Sequence, residues 1–334
     1  MRDARVLARL LADPSRAGAV EDWTGLLSIA RAESLLGSLA WRLKGIRLPD
    51  KVAQILEVAR RDSETVRTQA LWEAEMARRA LAPLGVPVIL LKGSAYVAAG
   101  LAAGVGRSIG DLDILVPRDS LDRVQAALLA AGWEWVKEDA YDDLYYRRWM
   151  HELPPLIHKE RDRMIDVHHT ILPLTARPTP DAAAMIADSA RLGNGLGVLS
   201  PPDMIVHSAA HLFADGDLAG GLRNLWDIDR LLREFAEADA GFWPKLEERA
   251  SRHGLLAAVH RAGRLAHDLY GTPVPEIWRV RDSADSLFKA RLLARDGWGR
   301  ATRPALRFAF YVRSHWLRMP PLMLARHLWT KARR

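Results

Sequence analysis

Gly110-Asp111-Leu112-Asp113-Ile114-Leu115-Val116 sets two carboxylates two residues apart on a segment that otherwise reads as a buried strand. Side chains alternate across a strand, so Asp111 and Asp113 are expected on one face and Leu112, Ile114 and Val116 on the other. Two carboxylates on one face repel each other and must be solvated, protonated or bridged by a cation, for which a divalent metal is the obvious choice. Removing either acid is therefore expected to leave the metal-free fold as stable as before, or slightly more so.

Upstream, Val86-Pro87-Val88-Ile89-Leu90-Leu91 reads as a buried strand running into Lys92-Gly93-Ser94, with a short helix expected over Ala95 to Ala103. A Gly-Ser step at a helix start offers backbone N–H groups and a hydroxyl to an anion, and the glycine admits a phosphate close to the main chain. Downstream, Met164-Ile165-Asp166-Val167-His168-His169 places a third acid in another strand-like run. On that strand His168 shares a face with Asp166, whereas His169 is expected on the opposite side.

Each of these residues has an ordinary reading as well. Asp111 or Asp113 alone can cap the turn after Gly110, and Ser94 is a common N-cap. Lys92 reads either as a strand-end lysine or as a charge that neutralises phosphate. Arg107, in Gly104-Val105-Gly106-Arg107, can meet phosphate, Asp111 or solvent. His151 and His168 are each either site residues or structural histidines. His207 and His211 sit four apart on a predicted helix with Asp215 one turn on, a spacing that can chelate a metal, although Ser208 stands where an H-E-x-x-H peptidase carries its Glu. Asp227 and Asp229 are expected to hold helix contacts.

The run Leu91-Lys92-Gly93-Ser94, Arg107 ahead of Asp111-Leu112-Asp113, His151 before Leu153-Pro154-Pro155-Leu156, and Asp166-Val167-His168 resembles the polymerase-β-like nucleotidyltransferase superfamily, most closely its bacterial branch with an LKG-type first motif. The resemblance spans roughly residues 87 to 172. It implies an α+β fold, a mixed β-sheet with helices, flanked by helical regions. It also implies that Gly93 and Ser94 hold the triphosphate, that Asp111 and Asp113 hold magnesium, or manganese in its place, and that Asp166 completes the metal site beside the attacking hydroxyl. Lys92, usual in this branch, together with Arg107 and His168 would complete the nucleotide side. The implied reaction moves a nucleoside monophosphate from a nucleoside triphosphate, ATP included, to an acceptor that the resemblance does not name: RNA, protein or a small molecule. Two alternatives from other classes are a non-catalytic nucleotide- or RNA-binding regulator with the same fold, and a metal-dependent phosphohydrolase using His207, His211 and Asp215.

At 334 residues and 49% hydrophobic, the chain can bury a sizeable core in two or three domains. The absence of cysteine excludes both a disulfide framework and a thiolate metal site. Residues 1 to 11 are charged throughout and lack the apolar core of a signal peptide, so a cytoplasmic protein is expected. Residues 84 to 105 approach membrane-span length, but Pro87, Lys92 and Ser94 interrupt them, and they read as strand plus helix.

Helical periodicity fills residues 3 to 82, as in Val52, Ile55, Leu56 and Ala59. The expected division is an N-terminal helical region over 1–84, a catalytic core over 85–175 and a C-terminal helical domain over 176–334. Within the core a helix is expected over Leu121 to Ala131, followed by several strands. Lys159 to Arg163 reads as a charged hairpin turn, and the three prolines between Pro173 and Pro180 mark the boundary.

Formal net charge is +7, and the excess is local: residues 297 to 334 carry nine arginines or lysines and no acid, interleaved with Trp298, Phe308, Phe310, Tyr311, Trp316 and Trp329. Such a segment can grip a polyanion while its rings stack on bases, or lie on an anionic membrane surface. The plainer reading is a helical pair packed by its aromatics, with a solvated basic face.

Overall fold

The computed structural model describes residues 3–318 apart from 138 and 281, without the side chains of 140–142 and 215. Arg326, Trp329, Lys331, Arg333 and Arg334 of the basic segment lie outside the described residues.

A mixed seven-stranded sheet stands at the centre of an α+β fold. Its strands are β1 (Ile89–Leu90), β2 (Leu112–Leu115), β3 (Trp133–Trp135), β4 (Leu156–His158), β5 (Met164–His168), β6 (Ala190–Arg191) and β7 (Gly197–Val198), in the order β3-β4-β5-β2-β1-β7-β6. The central strand β2 runs antiparallel to β1 and parallel to β5. All four of its residues are buried, since the strand has neighbours on both edges and helices pack against it.

Several expectations are adjusted by this architecture. The run at 86–91 pairs over only Ile89–Leu90, and the following helix starts earlier than expected, at Lys92–Ala98. Between β3 and β4, where strands were expected, a helix spans Ala140–Trp149. Beyond the proline-rich segment at 173–180 the chain returns to the sheet, and β7 pairs in parallel with β1. Those prolines bend the chain without ending the sheet.

The helices Arg5–Ala12, Trp23–Ala32, Leu36–Arg42 and Asp50–Leu81 form the N-terminal part. The last is 32 residues long, and its buried Val52, Leu56, Ala59 and Ser63 recur at three- and four-residue steps, a stripe along one face. Near its other end, buried Glu73 accepts from Arg161 Nε at 2.8 Å, tying this helix to the β4–β5 turn. After the sheet, Pro201–Ala209 starts at Ser200, whose side chain accepts from Asp203 N. This helix continues into a π-helical turn over Ala210–Asp215, and then come Gly221–Ala238, Phe242–Arg252, Leu256–Tyr270, Asp285–Leu292 and Pro304–Arg318.

No helix among the described residues is long and apolar enough to cross a membrane. On the final helix Phe310 packs against Phe288 with ring centroids 5.0 Å apart, but Phe308 is 67% exposed and Trp316 51%. Packing by aromatics therefore holds for Phe310 and not for its neighbours.

Candidate functional site

Parallel pairing of β2 with β5 sets Asp113 opposite Asp166 in register. Asp111 stands just before β2, and one carboxylate oxygen from each of Asp111, Asp113 and Asp166 lies within 4.8 Å of the others. The Asp111–Asp113 pair and the distant Asp166 thus converge because two strands pair side by side.

Their surroundings differ sharply. Asp113 is 3% exposed, and its Oδ1 accepts from Lys92 Nζ at 2.6 Å and lies 3.0 Å from His168 Nε2. Burial alone would raise its proton affinity, but the Lys92 charge and the His168 contact prevail and hold it below the ordinary carboxylate range. Asp111 sits at the surface end of the strand, where partial desolvation and the Asp113 charge raise its affinity for a proton. Asp166 is pushed up to about 7 by desolvation and by the charges of Glu152 and Asp113. For Lys92, desolvation works against the charge, yet Asp113 wins and raises its pKa.

Lys92 opens the short helix with a positive φ of 48°, an uncommon conformation for a side-chain-bearing residue. The turn aims its ammonium back at β2. Ser94 is buried, and the helix is pinned further on by Tyr96, whose hydroxyl lies 2.7 Å from Ser208 Oγ. Gly93 is required by Arg107: a Cβ there would come within 2.0 Å of Arg107 Nη1. Arg107 itself donates from Nε to buried Asp227 at 2.9 Å, and Arg223 approaches the other Asp227 oxygen at 3.3 Å. Arg107 is therefore an internal brace between the Lys92–Ala98 turn and the Gly221–Ala238 helix, not a solvated loop arginine. Asp227 holds helix contacts as expected, and so does Asp229, which accepts from Arg233 Nε at 2.8 Å and from Thr272 Oγ1 at 2.6 Å.

His168 points to the aspartates' side of the strand, 3.0 Å from Asp113 Oδ1, and His169 points elsewhere, 3.2 Å from the Met150 carbonyl. His151 stacks near His168, with ring centroids 5.2 Å apart. His207 and His211 are kept neutral by desolvation and the nearby Lys92 charge, with His211 lowered to about 3. Among the described residues neither joins a group of three candidate ligands, and the Asp215 side chain lies outside them.

Sequence reasoning passed over Glu152. It follows His151, bridges His168 in an antiparallel contact, and brings its carboxylate 3.5 Å from His168 Nδ1. The Leu153-Pro154-Pro155 run was a signal that this stretch is extended, and an extended stretch beside β5 brings residue 152 to the site edge.

No curated protein matches the chain. A family model described as an uncharacterised nucleotidyltransferase matches residues 19–271, well over half of the 334. That match takes in all seven strands, the three converging aspartates and the Lys92–Ser94 turn, and the chain belongs to this nucleotidyltransferase family.

Proposed function

We propose that this protein moves a nucleoside monophosphate from a nucleoside triphosphate to an acceptor hydroxyl, with Asp111, Asp113 and Asp166 holding Mg2+ or Mn2+. The observation that carries this reading is the gathering of three carboxylate oxygens within 4.8 Å. A donor set of oxygens alone suits a hard divalent cation, and three acids this close repel one another until a cation joins them. When bound, such a cation supplies charge stabilisation at the α-phosphate and at the leaving pyrophosphate.

The protein's own residues supply position and proton handling. Lys92 sets a positive charge beside the acids, where triphosphate charge would accumulate. Gly93 and Ser94 present the backbone N–H groups of the Lys92–Ala98 turn to the phosphates, and Arg107 keeps that turn in place through Asp227. His168 holds Asp113 Oδ1, leaving Oδ2 as the oxygen engaged by neither His168 nor Lys92. Asp166, opposite Asp113 in register, is the carboxylate that would accept the proton of the attacking hydroxyl once a bound cation has ionised it.

The test uses the full chain, four nucleoside triphosphates labelled at the α-phosphate, Mg2+ or Mn2+, and cell extract as a source of acceptors. Metal-dependent movement of label to an acceptor, lost in Asp111→Asn and in Asp113→Asn, is the expected result. Release of labelled monophosphate alone would move the reading to hydrolysis. One observation favours a second reading, a nucleotide-binding regulator without turnover: Asp113 is already neutralised by Lys92 at 2.6 Å. Triphosphate binding with no pyrophosphate released, with any acceptor, would decide for it.

A further inference from the structure

Beside the three aspartates stands a second, chemically different cluster. His151, Glu152 and His168 each offer one ligand atom, and these atoms lie within 4.8 Å of one another. Glu152 Oε2 is 3.5 Å from His151 Nε2 and 3.5 Å from His168 Nδ1. The backbone fixes this arrangement: Leu153 N donates to Val167 O at 2.9 Å and His169 N donates to His151 O at 2.8 Å, so residues 151–153 lie antiparallel along the end of β5.

The tautomer of His168 exposes a mismatch. A carboxylate only accepts, so Nε2, 3.0 Å from Asp113 Oδ1, carries the proton. Nδ1 then faces the Glu152 carboxylate at 3.5 Å. His168 is 2% exposed, so water does not relieve the contact, and its Nδ1 is a buried atom without a hydrogen-bond partner. The pair stands 3.5 Å apart, wider than the about 2.7–2.9 Å of a charge-assisted hydrogen bond. Zinc bonds of about 2.0–2.2 Å in a tetrahedron set neighbouring ligand atoms about 3.3–3.5 Å apart, which matches both spacings.

We infer that His151, Glu152 and His168 form a binding site for a zinc-class divalent ion, separate from the site made by the three aspartates. Two imidazoles and one carboxylate suit zinc over magnesium, and three protein ligands leave a fourth position open. His168 links the two sites, since it ligates through Nδ1 and donates from Nε2 to Asp113, the carboxylate–histidine–metal arrangement that fixes ring orientation. The site does not depend on the proposed transfer reaction.

The test strips the full chain with chelator and titrates Co2+ in the presence of excess Mg2+, following visible absorption. The expected result is a strong tetrahedral ligand-field band saturating at one equivalent and displaced by Zn2+. Asp111→Ala should keep the band. His151→Gln and Glu152→Gln, with folding checked by circular dichroism, should each weaken Co2+ binding by about 100-fold or more, at the upper end of what loss of a supporting group does. A weak octahedral spectrum, or no saturable band in the unaltered protein, overturns the inference whatever the variants do. A band abolished by Asp111→Ala and kept by Glu152→Gln overturns it as well, because the ion would then sit on the aspartates.

Discussion

Asp111 and Asp113, alike in the sequence, carry opposite consequences once their partners are known. Removing Asp113 strips Lys92 and His168 of their shared acceptor and leaves an unpaired cation in a largely buried place. Breaking a buried pair costs about 3–5 kcal/mol; because the Lys92 side chain is 26% exposed, Asp113→Ala is expected near the lower end, at about 3 kcal/mol in chemical denaturation. Asp111→Ala removes a repelling charge from the surface and should leave metal-free stability unchanged or slightly higher. The expectation that either acid can be removed without loss is therefore kept as a prediction for Asp111 and replaced for Asp113 by this loss. Asp166 supplies a pH dependence of its own. Its folded pKa, raised to about 7 from 3.8, means that the native state holds a proton which the unfolded chain releases between those values. Stability of the metal-free protein should fall as pH rises through that window. Each unit is worth about 1.4 kcal/mol, and partial solvent access reduces the total to about 2 kcal/mol. Asp166→Asn should flatten thermal midpoints against pH in chelator; an unchanged slope would show that Asp166 titrates normally.

The short helix Lys92–Ala98 is where sequence and structure assign different causes to the same residue. Gly93 reads as an opening for phosphate, and the fold adds that its missing side chain makes room for the Arg107 guanidinium. A branched side chain at Gly93 should push Arg107 off Asp227 and disturb both the turn and its tie to the Gly221–Ala238 helix. We expect Gly93→Val to cost more than about 3 kcal/mol, in the range of broken buried ion pairs, and to weaken triphosphate binding strongly. Ser94→Ala removes one hydroxyl and should cost about 1 kcal/mol, with the backbone donors left in place. Equal, small effects of the two substitutions on denaturation and on triphosphate affinity would separate Arg107 from the turn. The Leu121–Ala130 helix and the β4–β5 turn are legible from local pattern, since apolar periodicity and polar runs are local properties. The helix at Ala140–Trp149 is not, because Tyr141, Leu144, Tyr145 and Tyr146 suit a strand and a helix equally well in isolation.

Across the whole molecule, charge and exposed rings concentrate on the last described helix and the loop before it. Arg300, Arg303 and Arg307 are exposed, close to Trp298 and Phe308. If this surface grips a single-stranded nucleic acid, affinity should fall with salt at a slope of about −0.7 per phosphate neutralised. Changing these three arginines together to Gln should then flatten the slope by about 2, while triphosphate binding at the proposed aspartate site stays as it was. Retention by anionic vesicles and not neutral ones, lost in the same variant, would instead identify a lipid surface, and a variant equal to its parent in both assays would leave the face merely solvated. Read alone, the sequence carries the resemblance to nucleotidyltransferases in Lys92-Gly93-Ser94, Asp111-Leu112-Asp113 and Asp166-Val167-His168, because each motif is a run of neighbouring residues. It also determined the alternation of helical flanks with a strand-rich centre. Tertiary contacts alone show that β6 and β7 extend the sheet beyond the proline segment, that Arg107 pairs with Asp227, and that Glu152 stands between two histidines. Those are contacts between residues far apart in the chain, or on strands whose register is set by burial on both faces, and no local pattern encodes them.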